Sequence, residues 1–108
     1  MAESTDRGAL TEAVFYILLA LNTPMHGYGV MQFVRRISRE RVNLGPGTLY
    51  GAINTLLEKG WIHALFSPAD SRKKEYEISA TGRQIVSDEM LRLQELIDNG
   101  RAIVGDNK

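Results

Sequence analysis

The 108-residue sequence contains no cysteine and only two histidines, and these absences exclude several kinds of chemistry. Without cysteine there is no disulfide framework, no thiolate nucleophile and no cysteine-based zinc site. The two histidines, His26 and His63, are far apart along the chain, and neither has a carboxylate at the spacing of a metal site or a catalytic triad. We therefore expect no enzyme, no metal and no cofactor, with His26 at a helix start and His63 on a strand surface.

The sequence also lacks a long hydrophobic run and an N-terminal targeting pattern. Its longest apolar stretch, Ala13 to Leu21, is far shorter than the roughly 18 residues that a membrane-spanning helix needs. The first seven residues are polar and do not show the basic segment and apolar core of a signal peptide. These patterns predict a cytoplasmic protein with no membrane partner.

There is no net charge, since 13 basic side chains balance 13 acidic ones, but the charges are unevenly distributed. Residues 35–74 carry eight basic and three acidic side chains, a local net of +5, and the remainder nets −5. This asymmetry predicts one face suited to phosphate, although basic runs are also common on solvated surfaces. Arginines near the end of the second predicted helix either complement the helix dipole or contact DNA. They are Arg35, Arg36, Arg39 and Arg41.

Hydrophobic spacing and turn residues predict four helices and one hairpin. Asn22-Thr23-Pro24 ends the first helix, proline opens the third and Gly60 closes it, and Ser79 has the character of an N-cap. Other glycine pairs, at 27 and 29 and at 45 and 47, lack the remaining residues of phosphate-binding loops and indicate turns and close packing. In order, the elements are helices over 10–21, 26–39 and 46–59, strands over 61–66 and 74–78, and a helix over 79–103.

This order predicts a fold that is mainly α with a two-stranded β-hairpin. Three short helices followed at once by a hairpin form a winged helix-turn-helix, whose third helix enters the major groove of DNA. We assign residues 10–78 to this domain and residues 79–104 to a long C-terminal dimerisation helix, packed with the first helix as one compact unit.

The outward face of the third helix is small and polar, which the major groove requires. Asn54 can pair with a base edge, ideally adenine, and Thr48 in the first turn suits a phosphate. Tyr50 fits either a half-buried core position or a phosphate contact. The basic hairpin tip suits phosphates or the minor groove, with a simple exposed turn as the alternative. The predicted DNA-binding residues are Thr48, Tyr50, Gly51, Asn54, Thr55, Arg72, Lys73 and Lys74.

The final helix has more apolar surface than a small domain can cover. Its apolar residues follow the 4-3 spacing of a coiled-coil seam, and the first helix is apolar on more than one side. We therefore expect a second copy of the chain as partner. The predicted dimer contacts are Val14, Leu18, Val86, Met90, Leu93 and Ile97.

Four successive segments resemble the signatures of the PadR family of transcriptional regulators. They are His26–Val30, Gly45–Tyr50, Leu56–Ile62 and Lys74–Gly82, and the resemblance runs from about Leu10 to Ile103. It implies a winged-helix homodimer that binds an inverted-repeat operator in double-stranded DNA, usually as a repressor, with residues 48–59 as the recognition helix. The single C-terminal helix is similar to that of the smaller subfamily.

The resemblance also implies that a small hydrophobic or aromatic effector could release the DNA by entering a space between subunits. No aromatic residue occurs from Ser79 onward, so only Phe15 and Tyr16 of the first helix can supply rings there. We predict these two as ligand contacts, with Phe15 and Met90 as plain dimer core as the alternative. A protein-contact adaptor without DNA binding is the alternative function, although such a module would expose apolar groups on the third helix and hairpin.

Overall fold

The computed structural model describes residues 8–66 and 74–105. Within these ranges the chain forms four helices and three strands, and the strands make one antiparallel sheet in the order β1-β3-β2. The four helices and the hairpin follow the predicted order, whereas β1 was not predicted. The elements are α1 (Glu12–Ala20), β1 (Met25–His26), α2 (Gly27–Ile37), α3 (Pro46–Lys59), β2 (Ile62–Leu65), β3 (Glu75–Ile78) and α4 (Ala80–Val104). No helix in the described ranges is long and apolar enough to cross a membrane.

Local side-chain chemistry sets the helix boundaries. His26 Nδ1 accepts a hydrogen bond from the Gly29 N–H at 3.3 Å, and Ser79 Oγ accepts one from the Gly82 N–H at 3.1 Å. α3 begins at Pro46 and ends against Gly60, whose φ of 75° is the left-handed conformation that glycine adopts without strain. The predictions that His26 begins a helix, that Ser79 caps one and that Gly60 ends one are confirmed.

The third strand is the main difference from the sequence-based expectation. β1 has two residues and pairs with β3 through Met25 opposite Tyr76 and His26 opposite Glu75. Two residues are too few to show an alternating pattern, so the sequence gives no signal for this strand. It forms by pairing with the free edge of β3. The predicted two-stranded hairpin, β2 with β3, is therefore part of a three-stranded sheet.

One hydrophobic core joins the sheet to all four helices. The fully buried side chains include Leu18 of α1, which has no exposed surface left. The prediction that Leu18 contacts a partner subunit is therefore wrong, because its side chain is already enclosed by its own chain. The other large core residues are Ile17, Leu21, Val30, Val34, Leu49, Ile53, Leu56, Ile62, Tyr76, Ile78 and Val86.

The start of α4 is locked to the end of α3 by a close backbone contact. A Cβ at Gly82 would lie 2.1 Å from the carbonyl oxygen of Trp61, so only glycine fits there. The same oxygen accepts the Ser79 N–H at 2.9 Å, and Ser79 Oγ donates to the Gly60 carbonyl at 2.6 Å. These contacts fix the direction in which α4 leaves the domain.

Candidate nucleic-acid interface

α3 is held to the body by one apolar stripe, and its opposite face is left in solvent. Leu49, Ile53 and Leu56 are buried, while the predicted reading residues on the other side of the helix are exposed. A helix of 14 residues is about 21 Å long, so it can follow a groove for several base pairs. The exposed residues are Thr48, Gly51, Asn54 and Thr55.

The polar groups on this face differ in their freedom to pair with DNA. Within the described parts of the chain, the Asn54 carboxamide has no hydrogen-bond partner, so its donor and acceptor remain available. The Thr55 hydroxyl donates to the Gly51 carbonyl at 3.2 Å, which leaves it only as an acceptor for outside groups. A threonine inside a helix commonly forms this bond with the carbonyl four residues before it, so the spacing of Gly51 and Thr55 is the sequence signal for it.

Gly51 stands in the middle of α3 without a structural reason. Apart from its own helix and chain neighbours, no described atom lies within 4 Å of the position that a Cβ would occupy. Glycine inside a helix is about 1 kcal/mol less favourable than alanine. The chain itself therefore gains nothing from glycine here, and α3 presents no side chain at this point of its outer face.

Tyr50 lies on the flank of α3, against the start of α2. Its hydroxyl occupies the space where a Gly27 side chain would be, so Gly27 permits close packing as the sequence indicated. Tyr76 of β3 is close by, and burial, with a smaller contribution from Tyr50, raises the pKa of Tyr76. Tyr50 nevertheless remains 41% exposed, so a phosphate contact through its free edge stays a prediction.

Of the three basic residues predicted at the hairpin tip, only Lys74 lies among the described residues. Lys74 places its Nζ 5.3 Å from the centre of the exposed Phe66 ring. Arg72 and Lys73 lie outside the described residues. On the strands themselves, His63 Nε2 is 3.1 Å from Glu77 Oε1, in agreement with the expected surface position of His63.

The arginines around the turn between α2 and α3 have different surroundings. Arg36 stacks on Phe33 at 5.5 Å, and Arg41 pairs with Glu12 of α1. Arg39 has no partner among the described residues, and its φ of 54° is a left-handed conformation that is rare outside glycine. Since α2 ends at Ile37, Arg39 and Arg41 lie beyond its last turn and do not complement its dipole in the predicted way.

The far part of α4 is an apolar surface that the single chain does not cover. Val86 is almost completely buried and Val14 is half-buried, but no residue of α4 after Glu89 is buried. The segment from Met90 to Val104 is about 22 Å long. Its exposed apolar side chains are Met90, Leu91, Leu93, Leu96, Ile97, Ile103 and Val104.

Phe15 and Tyr16, the predicted ligand contacts, are half-buried on α1. Their ring centroids are 6.3 Å apart, and both side chains pack against the core of their own chain. No cluster of three or more His, Asp or Glu side chains that would suit a metal ion occurs in the part of the chain that the structure describes.

Comparison with known proteins identifies the family. The chain matches the Transcriptional regulator PadR-like family over residues 16–88, about two thirds of its length. The chain belongs to this PadR-like family. Its members are transcription regulators and not enzymes, in agreement with the expectation from the sequence.

Two of the similar solved structures are described as PadR family regulators. A PadR family transcription regulator from Clostridium difficile aligns with a TM-score of 0.72 and 18% identity, over 88% of this chain and 100% of the other. One from Eggerthella lenta aligns with a TM-score of 0.70 and 19% identity, over 99% and 91%. At these identities the similarity shows the fold, and the predicted winged-helix class is confirmed.

One relative has detectable sequence similarity over most of this PadR-like chain. It is described as an uncharacterized 37.1 kDa protein in transposon TN4556 of Streptomyces fradiae, and it is 32% identical over 79 residues. The match covers 72% of this chain but only 22% of that protein. The chain therefore spans about a fifth of its relative's length.

Proposed function

We propose that this regulator binds a specific sequence in double-stranded DNA as a homodimer, with α3 in the major groove and the hairpin on the flanking backbone. The observation that carries the proposal is the outer face of α3. On this face Gly51 lies in the middle of the helix with open space above it, and the unpaired Asn54 carboxamide and Thr55 lie beside it. A flat helix surface with free polar groups is what close approach to base edges requires.

The proposed dimer is built by the uncovered apolar surface of α4. A second copy related by two-fold symmetry would bury this surface and would place two α3 helices on one side of the assembly. Such dimers read half-sites about one helical turn of DNA apart, so the proposed operator is an inverted repeat. Binding next to a promoter would make the protein a repressor, acting in the cytoplasm, where it meets the chromosome.

Selection from random double-stranded DNA tests this proposal. Duplexes retained by the purified full chain should be enriched in a two-fold symmetric sequence with half-sites about 10 base pairs apart. Fusing that sequence to a promoter should then reduce reporter expression when the protein is present. If no duplex is retained even at low salt, where non-specific electrostatic affinity is strongest, the adaptor alternative is favoured.

Replacing Gly51 separates DNA binding from stability. Gly51→Leu should raise the free energy of unfolding by up to about 1 kcal/mol, because the position is open and leucine is the better helix former. The same change should weaken binding to the selected operator at least about tenfold, since the side chain would hold α3 away from the bases. Fluorescence anisotropy and chemical denaturation measure the two effects.

Gly51→Ala is the matched control for this variant. It should bring nearly the same gain in stability with a much smaller loss of affinity, because one methyl group changes the surface little. A Gly51→Leu protein that binds the operator like the wild type would remove the outer face of α3 from the interface.

Neutralising the hairpin tip should lower affinity without changing specificity. If Arg72, Lys73 and Lys74 contact phosphates, changing all three to alanine should reduce the slope of log K against log salt by roughly 0.9 for each lost contact. Binding to selected and unrelated sequences should weaken to the same extent. Arg83→Ala, which removes a cation from α4, should leave the slope unchanged, and an unchanged slope in the triple variant would exclude the tip from the interface.

A further inference from the structure

A cavity of about 310 Å³ lies between the start of α1, one flank of α3 and Trp61. Its walls are mainly apolar: Leu10 and Val14 stand on one side, Ala52 and Leu56 on the other, and Trp61 at the end. The volume falls at the lower end of the range for small-molecule sites. Phe15 and Tyr16 do not line it, so this cavity is separate from the ligand position that the sequence suggested.

The charged group at the cavity is Lys59, in the last turn of α3. Its Nζ lies 5.2 Å from the centre of the Trp61 ring, and no carboxylate of the described residues pairs with it. The lysine charge is thus held over an aromatic face at the edge of an apolar space. A site of this composition favours a ligand with an apolar body and a single negative charge.

We propose that this cavity binds a small apolar monoanion, whose charged group meets Lys59 while its body lies between α1 and α3. The negative charge would gain an unpaired cation as partner, and the apolar body would cover side chains that are now only partly buried. The walls that the structure describes come from the start of α1, from α3 and from Trp61.

The position of the cavity couples it to both proposed interfaces. Thr55, whose hydroxyl is bonded to the Gly51 carbonyl on the proposed DNA-reading face, also lines the cavity. On the opposite wall, the Leu10 N–H donates to Glu89 Oε2 of α4 at 3.2 Å, and Arg92 holds the same carboxylate through two hydrogen bonds. A bound anion would therefore contact both α3 and the residues around Leu10, which are hydrogen-bonded to Glu89 of α4.

This coupling rests on the proposed function and makes a reciprocal prediction. If the occupied cavity favours a different position of α3, the anion lowers the affinity for DNA, and DNA lowers the affinity for the anion by the same factor. The anion should also bind the protein when no DNA is present. Anion binding and its effect on DNA affinity can therefore be tested separately.

Trp61 is the only tryptophan of the chain, so its fluorescence reports directly on the cavity. Titrating the full chain with anilinonaphthalene sulfonate should give saturable quenching of Trp61 and energy transfer to the probe. Ala52→Phe, which fills the space, should reduce probe affinity at least tenfold. Lys59→Gln should reduce it several-fold, while the affinity for the uncharged probe N-phenylnaphthylamine should stay within about twofold.

Arg83→Gln serves as the matched control, because it also removes one cation but lies on α4, outside this cavity. It should leave probe binding unchanged, and circular dichroism should show native helix content for all variants. The proposal is overturned if no saturable binding occurs, or if binding is insensitive to both Ala52→Phe and Lys59→Gln, because the probe then sits elsewhere, such as on the exposed face of α4. A failed titration with intact operator binding removes the cavity alone, whereas probe binding without operator binding removes only the proposed function.

Discussion

Replacing Gly82 by alanine should lower the free energy of unfolding by about 3 kcal/mol. The new Cβ would stand 2.1 Å from the Trp61 carbonyl oxygen and 3.0 Å from its carbonyl carbon, and both are backbone atoms. The oxygen cannot simply move away, because it also accepts the Ser79 N–H that helps to lock α4. Overpacking of this kind typically costs about 1–3 kcal/mol, and a contact with fixed backbone lies at the upper end. Chemical denaturation followed by circular dichroism measures the loss.

Gly51→Ala is also the control for this substitution, since Gly51 lies outside both this junction and the proposed dimer surface of α4. Leaving aside its own helix, no described atom lies within 4 Å of a Cβ at Gly51, so alanine should stabilise the protein by up to about 1 kcal/mol. Both variants should be compared at one protein concentration, because assembly contributes to apparent stability. If Gly82→Ala and Gly51→Ala have equal stability, the junction between α3 and α4 is not as tightly packed as the structure indicates.

Ile97→Glu should convert the proposed dimer to a monomer. Ile97 is 47% exposed in the single chain, so a glutamate there disturbs the domain little. In a dimer formed by the apolar surface of α4, the same change buries an unpaired charge twice, once from each subunit. An uncompensated buried charge costs about 3–5 kcal/mol, which corresponds to a rise of at least about 100-fold in the dimer dissociation constant. Light scattering over a concentration series measures this change.

Ala102→Glu adds the same charge to the opposite side of α4 by helical spacing and should leave the dimer intact. The monomeric Ile97→Glu protein should also lose most of its affinity for an inverted repeat, while its weak affinity for one half-site remains. If Ile97→Glu stays dimeric, the subunits must meet elsewhere, and Met90, Leu93 and Ile97 would lose their proposed role.

The elements with strong local signals agree with the structure to within about two residues. α3 begins at Pro46 and ends before Gly60, and Ser79 caps α4. These boundaries were predictable because each signal acts on backbone groups within four residues. The Met25–His26 strand had no such signal, since a two-residue strand needs the edge of β3. The predicted reading residues were recognisable because one clear apolar stripe on α3 leaves only one face for solvent.

The prediction for Leu18 failed for a related reason. α1 is apolar on nearly every side, and such a pattern does not tell which side meets the core. Burial in the folded chain decides this, and Leu18 lies in the core. Val14, one turn earlier on α1, is only half-buried. The apolar excess of α4 is visible in the sequence, because its regular seam continues beyond the length that a domain of about 80 residues can cover.

The sequence by itself determined the helices, the hairpin, the polar outer face of α3 and the apolar excess of α4. Periodicity and capping are short-range properties, so neighbours along the chain suffice to specify them. The tertiary structure alone decided the contact of Gly82 with Trp61, the bond from Leu10 to Glu89, 79 positions away, and the cavity beside Lys59. These features join residues that are distant in sequence, and such contacts depend on how complete elements pack against each other.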